Sequence, residues 1–186
     1  CMRSLPTMLV LQPADDLETS QMVHALADNP NPAYMRLTRQ NMPRVHSDDY
    51  KFEFGKFPTL INGSDVTLLA TGGTVGNAVS AAMRLHEEGI SARVINANSV
   101  KPVDEDAIVK AAKETKGLVT IEDHNILGGL GGAVAEVLTN RAPARLLRLG
   151  INDVFGESGE PDALYAYHGL DSAGIAGSVR EFFNSL

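Results

Sequence analysis

The chain has 186 residues, a net charge of −7, and 44% hydrophobic and 21% charged residues, the balance of an ordinary soluble protein. Excess acid argues against wrapping nucleic acid, which needs clustered Lys and Arg, and no run approaches the ~18 consecutive apolar residues of a membrane helix. A single cysteine, Cys1, makes an intrachain disulfide impossible and fits a reducing, cytoplasmic compartment.

Cys1 is not an initiator Met and no signal peptide precedes it, so we expect the chain to begin inside a longer natural protein. Met8-Leu-Val-Leu-Gln-Pro13 predicts a short buried strand closed by proline. Asp15 or Asp16 then caps a helix to about Ala27, with Leu17, Met22, Val23 and Leu26 as its apolar positions. Asn29-Pro-Asn-Pro32 breaks it, and Tyr34-Met-Arg-Leu-Thr-Arg39 predicts another strand. Strand–helix–strand is too little to close a core, and the polar stretch 43–50 reads as a linker between domains.

The second region is more complete. Residues 56–61 and 66–70 predict strands around Asn62-Gly63, a hairpin signal that sets the first antiparallel at a sheet edge. Asp65-Val-Thr-Leu-Leu-Ala-Thr-Gly-Gly-Thr74 carries the buried strand into a glycine turn, and Val75, Ala78, Val79, Ala82 and Leu85 follow at helical spacing. Ala92-Arg-Val-Ile-Asn-Ala97 predicts the next strand; Pro102 and Asp104 start a helix with Ile108, Ala111 and Ala112 on one face. The strand–glycine turn–helix design then recurs, with strand 118–121, glycines 128–132 and helix 131–140. Strand 145–151 and a helix capped by Asp171, its Ile175, Val179, Phe182 and Leu186 facing inward, complete the chain. This alternation implies right-handed parallel crossovers. The expected fold is three-layer α/β/α, around a mostly parallel sheet with an antiparallel edge strand.

In such sheets ligand and partner contacts gather where strands end and helices begin. The glycine loops do not satisfy a dinucleotide pattern: Gly72-Gly-Thr-Val-Gly76 lacks the G-x-G start, and Gly129-Leu-Gly-Gly-Ala-Val134 ends in Val. They read instead as places where a helix starts close to its strand. Glu122-Asp123-His124 is a dense ionisable cluster, but three neighbours in a loop cannot aim at one point and no second His or Cys lies at ligand spacing. An interdomain or subunit contact is the expectation. His24, His46, His86 and His168 show no evident partners, and Ser158 lacks the pattern of a nucleophile elbow. Arg36 and Arg39, three apart in a strand, point to opposite faces. At the strand's end Arg39 can clamp a phosphate, although residue type alone leaves a solvated surface arginine equally open.

Taken together, these segments resemble the C-terminal half of transketolases. The matching runs are Met2-Arg-Ser-Leu-Pro6, Gln12-Pro-Ala-Asp15, Arg36-Leu-Thr-Arg-Gln-Asn41, 65–72, Ala92-Arg-Val94, Lys101-Pro-Val-Asp104, 121–132 and Asp153-Val-Phe-Gly-Glu-Ser-Gly159. They cover nearly the whole chain in the family's order. The Glu-Asp-His…Gly-Gly-Leu-Gly form is most similar to the C-terminal subunit of split, two-chain transketolases. Deoxyxylulose-phosphate synthases and 2-oxoacid dehydrogenase β subunits share the architecture.

The resemblance implies transfer of a two-carbon ketol unit between sugar phosphates, using thiamine diphosphate and a divalent metal, Mg2+. It implies that residues 1–43 are the tail of a pyrimidine-binding domain, 44–55 a linker and 56–186 the C-terminal domain. The glutamate and aromatic residue that hold the aminopyrimidine would lie upstream of Cys1, and diphosphate and metal would belong to an N-terminal subunit or domain. No catalytic, cofactor-binding or metal residue is therefore expected in this chain, which alone should be inactive. Arg39 matches the family arginine that contacts the substrate phosphate. Implied partners are the N-terminal subunit or domain, further copies through the C-terminal domain, and sugar phosphates. The alternative is an assembly domain of a related enzyme with no small-molecule site of its own.

Overall fold

The computed structural model describes residues 1–186. The chain runs β1 (Leu9–Leu11), α1 (Asp16–Ala27), β2 (Ala33–Met35), β3 (Thr59–Ile61), β4 (Val66–Ala70), α2 (Val75–Glu87) and β5 (Ala92–Asn96). β6 (Ser99–Lys101), α3 (Glu105–Glu114), β7 (Leu118–Asn125), α4 (Leu130–Arg141), β8 (Leu146–Ile151), α5 (Pro161–Tyr167) and α6 (Ser172–Asn184) follow. No helix is long and apolar enough to cross a membrane.

The main sheet has the order β3-β5-β4-β7-β8. β5, β4, β7 and β8 are parallel, in register through Leu68↔Val94, Leu68↔Val119 and Ile121↔Leu149, and β3 pairs antiparallel at the edge. Side chains alternate along each strand, so neighbours serve opposite faces. Leu68, Val94 and Val119 pack into one core with α2 and α6; Leu69, Ile95 and Leu118 pack into another with α3 and α4. Both faces are covered, which is why these strands read as unbroken apolar runs. Three aspartates start helices by accepting a backbone N–H: Asp15 from Glu18, Asp104 from Ala107 and Asp171 from Gly174. The expected three-layer α/β/α fold, with a mostly parallel sheet and an antiparallel edge strand, is the one observed.

Besides α5, which was not anticipated, and β2, which ends at Met35 and not at Arg39, four details differ from expectation. Asn62-Gly63 does not close a hairpin, because β3 pairs with β5 and not with β4. The turn instead passes over the start of β5, where a Cβ on Gly63 would sit 2.3 Å from the Ala92 carbonyl carbon. Second, β6 was not anticipated. Two residues after β5 leaves the main sheet, β6 pairs antiparallel with β1, giving a second sheet of order β2-β1-β6. Third, α1 buries Glu18 and Met22 and leaves Val23 49% exposed, so a charged residue takes an apolar slot. Fourth, Leu186 lies past the last turn of α6 and is 40% exposed, not inward.

Gly63→Ala should therefore cost about 1–3 kcal/mol in urea unfolding, since the atoms it would strike are backbone and cannot swing aside. Gly177→Ala, within α6 and with nothing within 4 Å of the added methyl, should raise stability by about 0.5–1 kcal/mol.

Candidate functional site

Two carboxylates, Glu18 and Asp123, join the main sheet to the smaller one, the first buried and the second half-buried. Glu18 is fully buried on α1. Its oxygens accept from the Ala14 N–H at 2.8 Å, the Tyr50 hydroxyl at 2.6 Å, Asn96 Nδ2 at 2.9 and 3.0 Å, and Asn98 Nδ2 at 2.8 Å. Asp15 caps α1 with one oxygen, while the other accepts the Val45 and His46 N–H groups, each at 3.0 Å. Residues 44–55, which contain no helix or strand, are thus fastened along α1. The His46 ring lies with Nδ1 2.9 Å from Asp15 Oδ2 and Nε2 3.2 Å from Asn96 Nδ2. Burial alone would raise the Asp15 carboxyl, but its hydrogen bonds from the Glu18, His46 and Val45 N–H groups and the His46 ring outweigh that and hold it below the usual carboxylate range.

The second carboxylate is Asp123, near the end of β7. Its Oδ1 accepts from the Arg36 guanidinium and from Gln12 Nε2 at 3.1 Å, and its Oδ2 from the Tyr165 hydroxyl at 3.2 Å. Arg36 also reaches the Asp123 carbonyl at 3.4 Å. The ends of β1, β2 and β7 and helix α5 therefore meet on one side chain. Burial, then the charge and hydrogen bond of Asp123, push the Tyr165 phenol up, so it remains a donor. The turn Gly72-Gly73 runs beneath: a Cβ on Gly72 would lie 2.3 Å from Gln12 Nε2, and one on Gly73 2.4 Å from the Tyr165 oxygen. These glycines clear space for the junction.

Above the junction opens a cleft of about 460 Å³, lined among others by Arg36, Thr38, Arg39, Asp123, Tyr165 and His168. Arg36 is neutralised by its ion pair with Asp123. Arg39, three residues on and past the end of β2, is exposed at the same cleft and takes part in none of the chain's ion pairs. The cleft thus presents one guanidinium outside any ion pair, with the Glu157 carboxylate also on its lining, and the Arg39 donors are free to meet an anion.

The second glycine loop is already occupied. Glu122, fully buried, accepts the Leu130 N–H at 2.6 Å and the Gly131 N–H at 3.0 Å, taking the first amides of α4 for itself. A Cβ on Gly129 would fall 2.0 Å from its Oε2. Those amides are not available to a phosphate. Burial raises the Glu122 carboxyl against the opposing pull of His124, whose Nε2 is 3.1 Å away, and of the two backbone N–H groups. No group of three His, Cys, Asp or Glu side chains is arranged to hold a metal.

Of the sequence candidates, the structure brings Arg36, Arg39, Asp123 and His168 to one cleft. Glu122, Asp123 and His124 lie in the extended β7 and not in a loop, so they turn alternately, Asp123 toward the smaller sheet and Glu122 toward α4. His46 does have partners, a correction to the sequence reading; His24, His86 and Ser158 are exposed. Glu18, Tyr50, Gln12 and Tyr165 were missed. Only Glu18 left a local trace: Asp15-Asp-Leu-Glu18 has the spacing of a capping box.

Fold and junction together define a three-layer α/β domain that shares buried carboxylates with a smaller three-stranded unit. Residues 55–175 match the family described as transketolase, C-terminal domain. The chain is 43% identical over 183 residues to a protein named putative transketolase C-terminal section from Methanocaldococcus jannaschii, covering 97% of this chain and 57% of that one. It is 42% identical to a subunit of an apulose-4-phosphate transketolase from Phocaeicola vulgatus, over 97% of this chain and 58% of the relative. A solved structure described as a split gene transketolase, inactive beta4 tetramer, superimposes with a TM-score of 0.94 at 42% identity, covering 98% of this chain and 60% of that one. The chain belongs to the transketolase family and corresponds to its C-terminal portion. It spans little more than half the length of these relatives.

Asp15→Asn should cost about 2 kcal/mol in urea unfolding at pH 7, because an amide turns a donor toward N–H groups that need an acceptor. The native Asp15 carboxyl lies below its unfolded value, so its contribution is present above pH ~4 and is lost as pH falls through the folded value. The gap between wild type and Asp15→Asn should therefore close below pH ~4, as read by unfolding at stepped pH.

Proposed function

We propose that this chain is the C-terminal part of a transketolase-type enzyme that moves a two-carbon ketol unit between sugar phosphates, and that it completes its active site only with an N-terminal partner subunit or domain. In this reading thiamine diphosphate and Mg2+ are held by the partner segments, and this chain contributes Arg39 as a ligand of the substrate phosphate. The observation that carries the reading is the cleft itself: one guanidinium is consumed by Asp123 while Arg39, on the same short segment, is left for an anion. The names of the relatives support it, since one is a transketolase subunit and another a split-gene transketolase.

Association of copies through the C-terminal domain is part of the same proposal. Phe155 is wholly exposed, with Val154 58% exposed beside it and Leu127 58% exposed on the loop after β7. Apolar side chains presented this way mark contact surfaces more often than isolated ones do. The structural neighbour is described as a beta4 tetramer that is inactive, which agrees with assembly of C-terminal chains being insufficient for turnover.

Two measurements test this. The isolated chain, supplied with thiamine diphosphate and Mg2+, should show no ketol transfer, and activity should appear on adding the partner segments that bind the aminopyrimidine and those that bind the diphosphate and metal; turnover by the chain alone refutes the division of labour. In the reconstituted enzyme, Arg39→Ala should lower kcat/KM for fructose 6-phosphate about 10- to 100-fold more than for fructose, the equivalent of one charge-assisted hydrogen bond of about 1.5–3 kcal/mol. Equal losses for the two sugars would remove Arg39 from a phosphate site.

A further inference from the structure

We infer that Asp123 is a positioning residue for the phosphate end of the cleft: by gripping Arg36 it fixes the segment on which Arg39 stands. This rests on the reading of Arg39 as the phosphate ligand and adds a residue that local sequence pattern does not reveal.

The geometry is that of a short bridge tied at both ends. The Arg36 N–H still donates to the Leu11 carbonyl of β1 at 2.9 Å, but residues 37–40 have no strand or helix pairing to hold them, and Leu37 is 55% exposed. At the near end Arg36 is bound to Asp123, whose side chain is 11% exposed. At the far end Gln40 Nε2 donates to Asp162 Oδ1 on α5 at 2.9 Å, and between them Thr38 Oγ1 donates to the Gln40 carbonyl at 3.2 Å. Arg39 lies between the two anchors, and both anchors are carboxylates of the larger unit.

The two anchors are unequal. The Gln40–Asp162 contact is open to solvent, whereas Asp123 also accepts from Gln12 and Tyr165 and sits over Gly73, whose missing side chain leaves its Oδ2 and the Thr38 methyl room. A sheltered, fully bonded carboxylate holds its partner far better than a solvated contact does. Without it, the loop would have to be ordered by the incoming substrate, and that ordering would be drawn from binding energy. Asp123 has a second effect. It cancels the charge of Arg36, leaving Arg39 as the cation an anion finds.

The test is made in the enzyme reconstituted with its N-terminal partner, thiamine diphosphate and Mg2+. Asp123→Asn should raise KM for fructose 6-phosphate about tenfold, leave kcat and the KM for fructose unchanged, and weaken competitive inhibition by inorganic phosphate in parallel. Tyr165→Phe, which removes one donor without a charge, should shift the same constants in the same direction by about threefold. Asp123→Glu should recover part of the lost affinity. Damage to folding alone would instead lower the active fraction, reducing kcat for both sugars with KM intact, and that pattern overturns the inference. So does a fall in KM for fructose 6-phosphate on Asp123→Asn, which would mean that the freed Arg36 binds phosphate itself. If Arg39→Ala discriminates between the sugars and Asp123→Asn does not, the phosphate site stands and the positioning role fails. If Arg39→Ala does not discriminate, both fail.

Discussion

A carboxylate out of reach of water needs donors on every side, and Glu18 has them from four separate places: its own helix start, the strap at Tyr50, and Asn96 and Asn98 at the end of the main sheet. A buried acceptor left without its donor typically costs about 1–3 kcal/mol. The two asparagines turn their amide N–H groups to the carboxylate and leave their own oxygens without a protein partner, which shows which requirement prevails. The small sheet, the strap and the large sheet are consequently one hydrogen-bonded body. The cleft beside Asp123 depends on that, because its two walls come from different sheets.

Much of the fold was legible in the chain. Strands β4, β5 and β7 are covered on both faces, so their runs of Val, Leu and Ile stand out without alternation. Three of the six helices, α1, α3 and α6, announced themselves through aspartate caps, whereas α5 left no signal that was read. Reading failed where tertiary pairing overrode a local signal. Asn62-Gly63 is a hairpin pattern by composition, yet a strand inserts between its two arms, and no local rule reports that. β6 is three residues long and pairs with a strand far earlier in the chain, so it has no periodicity to detect. Val23 and Glu18 exchanged their expected places because partners at positions 50, 96 and 98 made the glutamate the better buried residue.

The site was legible in part. Arg39 was singled out by residue type and by resemblance, and the structure sets it at a cleft. The Glu122-Asp123-His124 cluster was noticed, but its division of labour follows from the alternation of a strand that extends to Asn125, beyond the apolar run. Asp123 meets Arg36 across 87 positions of sequence and Gln12 across 111, separations at which single-chain patterns carry no information. At the second glycine loop the first amides of α4 are taken by Glu122. The purpose of the glycine loops became visible only with the side chains that fill them.

One consequence follows from how β5 passes into β6. With only Ala97 and Asn98 between them, the polypeptide steps from one sheet into the other and lends the smaller sheet its third strand. A gene divided within the codons for residues 44–55 would place β6 on one product and its mate β1 on the other. Each product would emerge from the ribosome with a raw, unpaired border, the kind of edge that invites adhesion between nascent chains. The fold therefore restricts where this polypeptide can be cut during evolution, and it makes the segment after β2 a poor place for an engineered break.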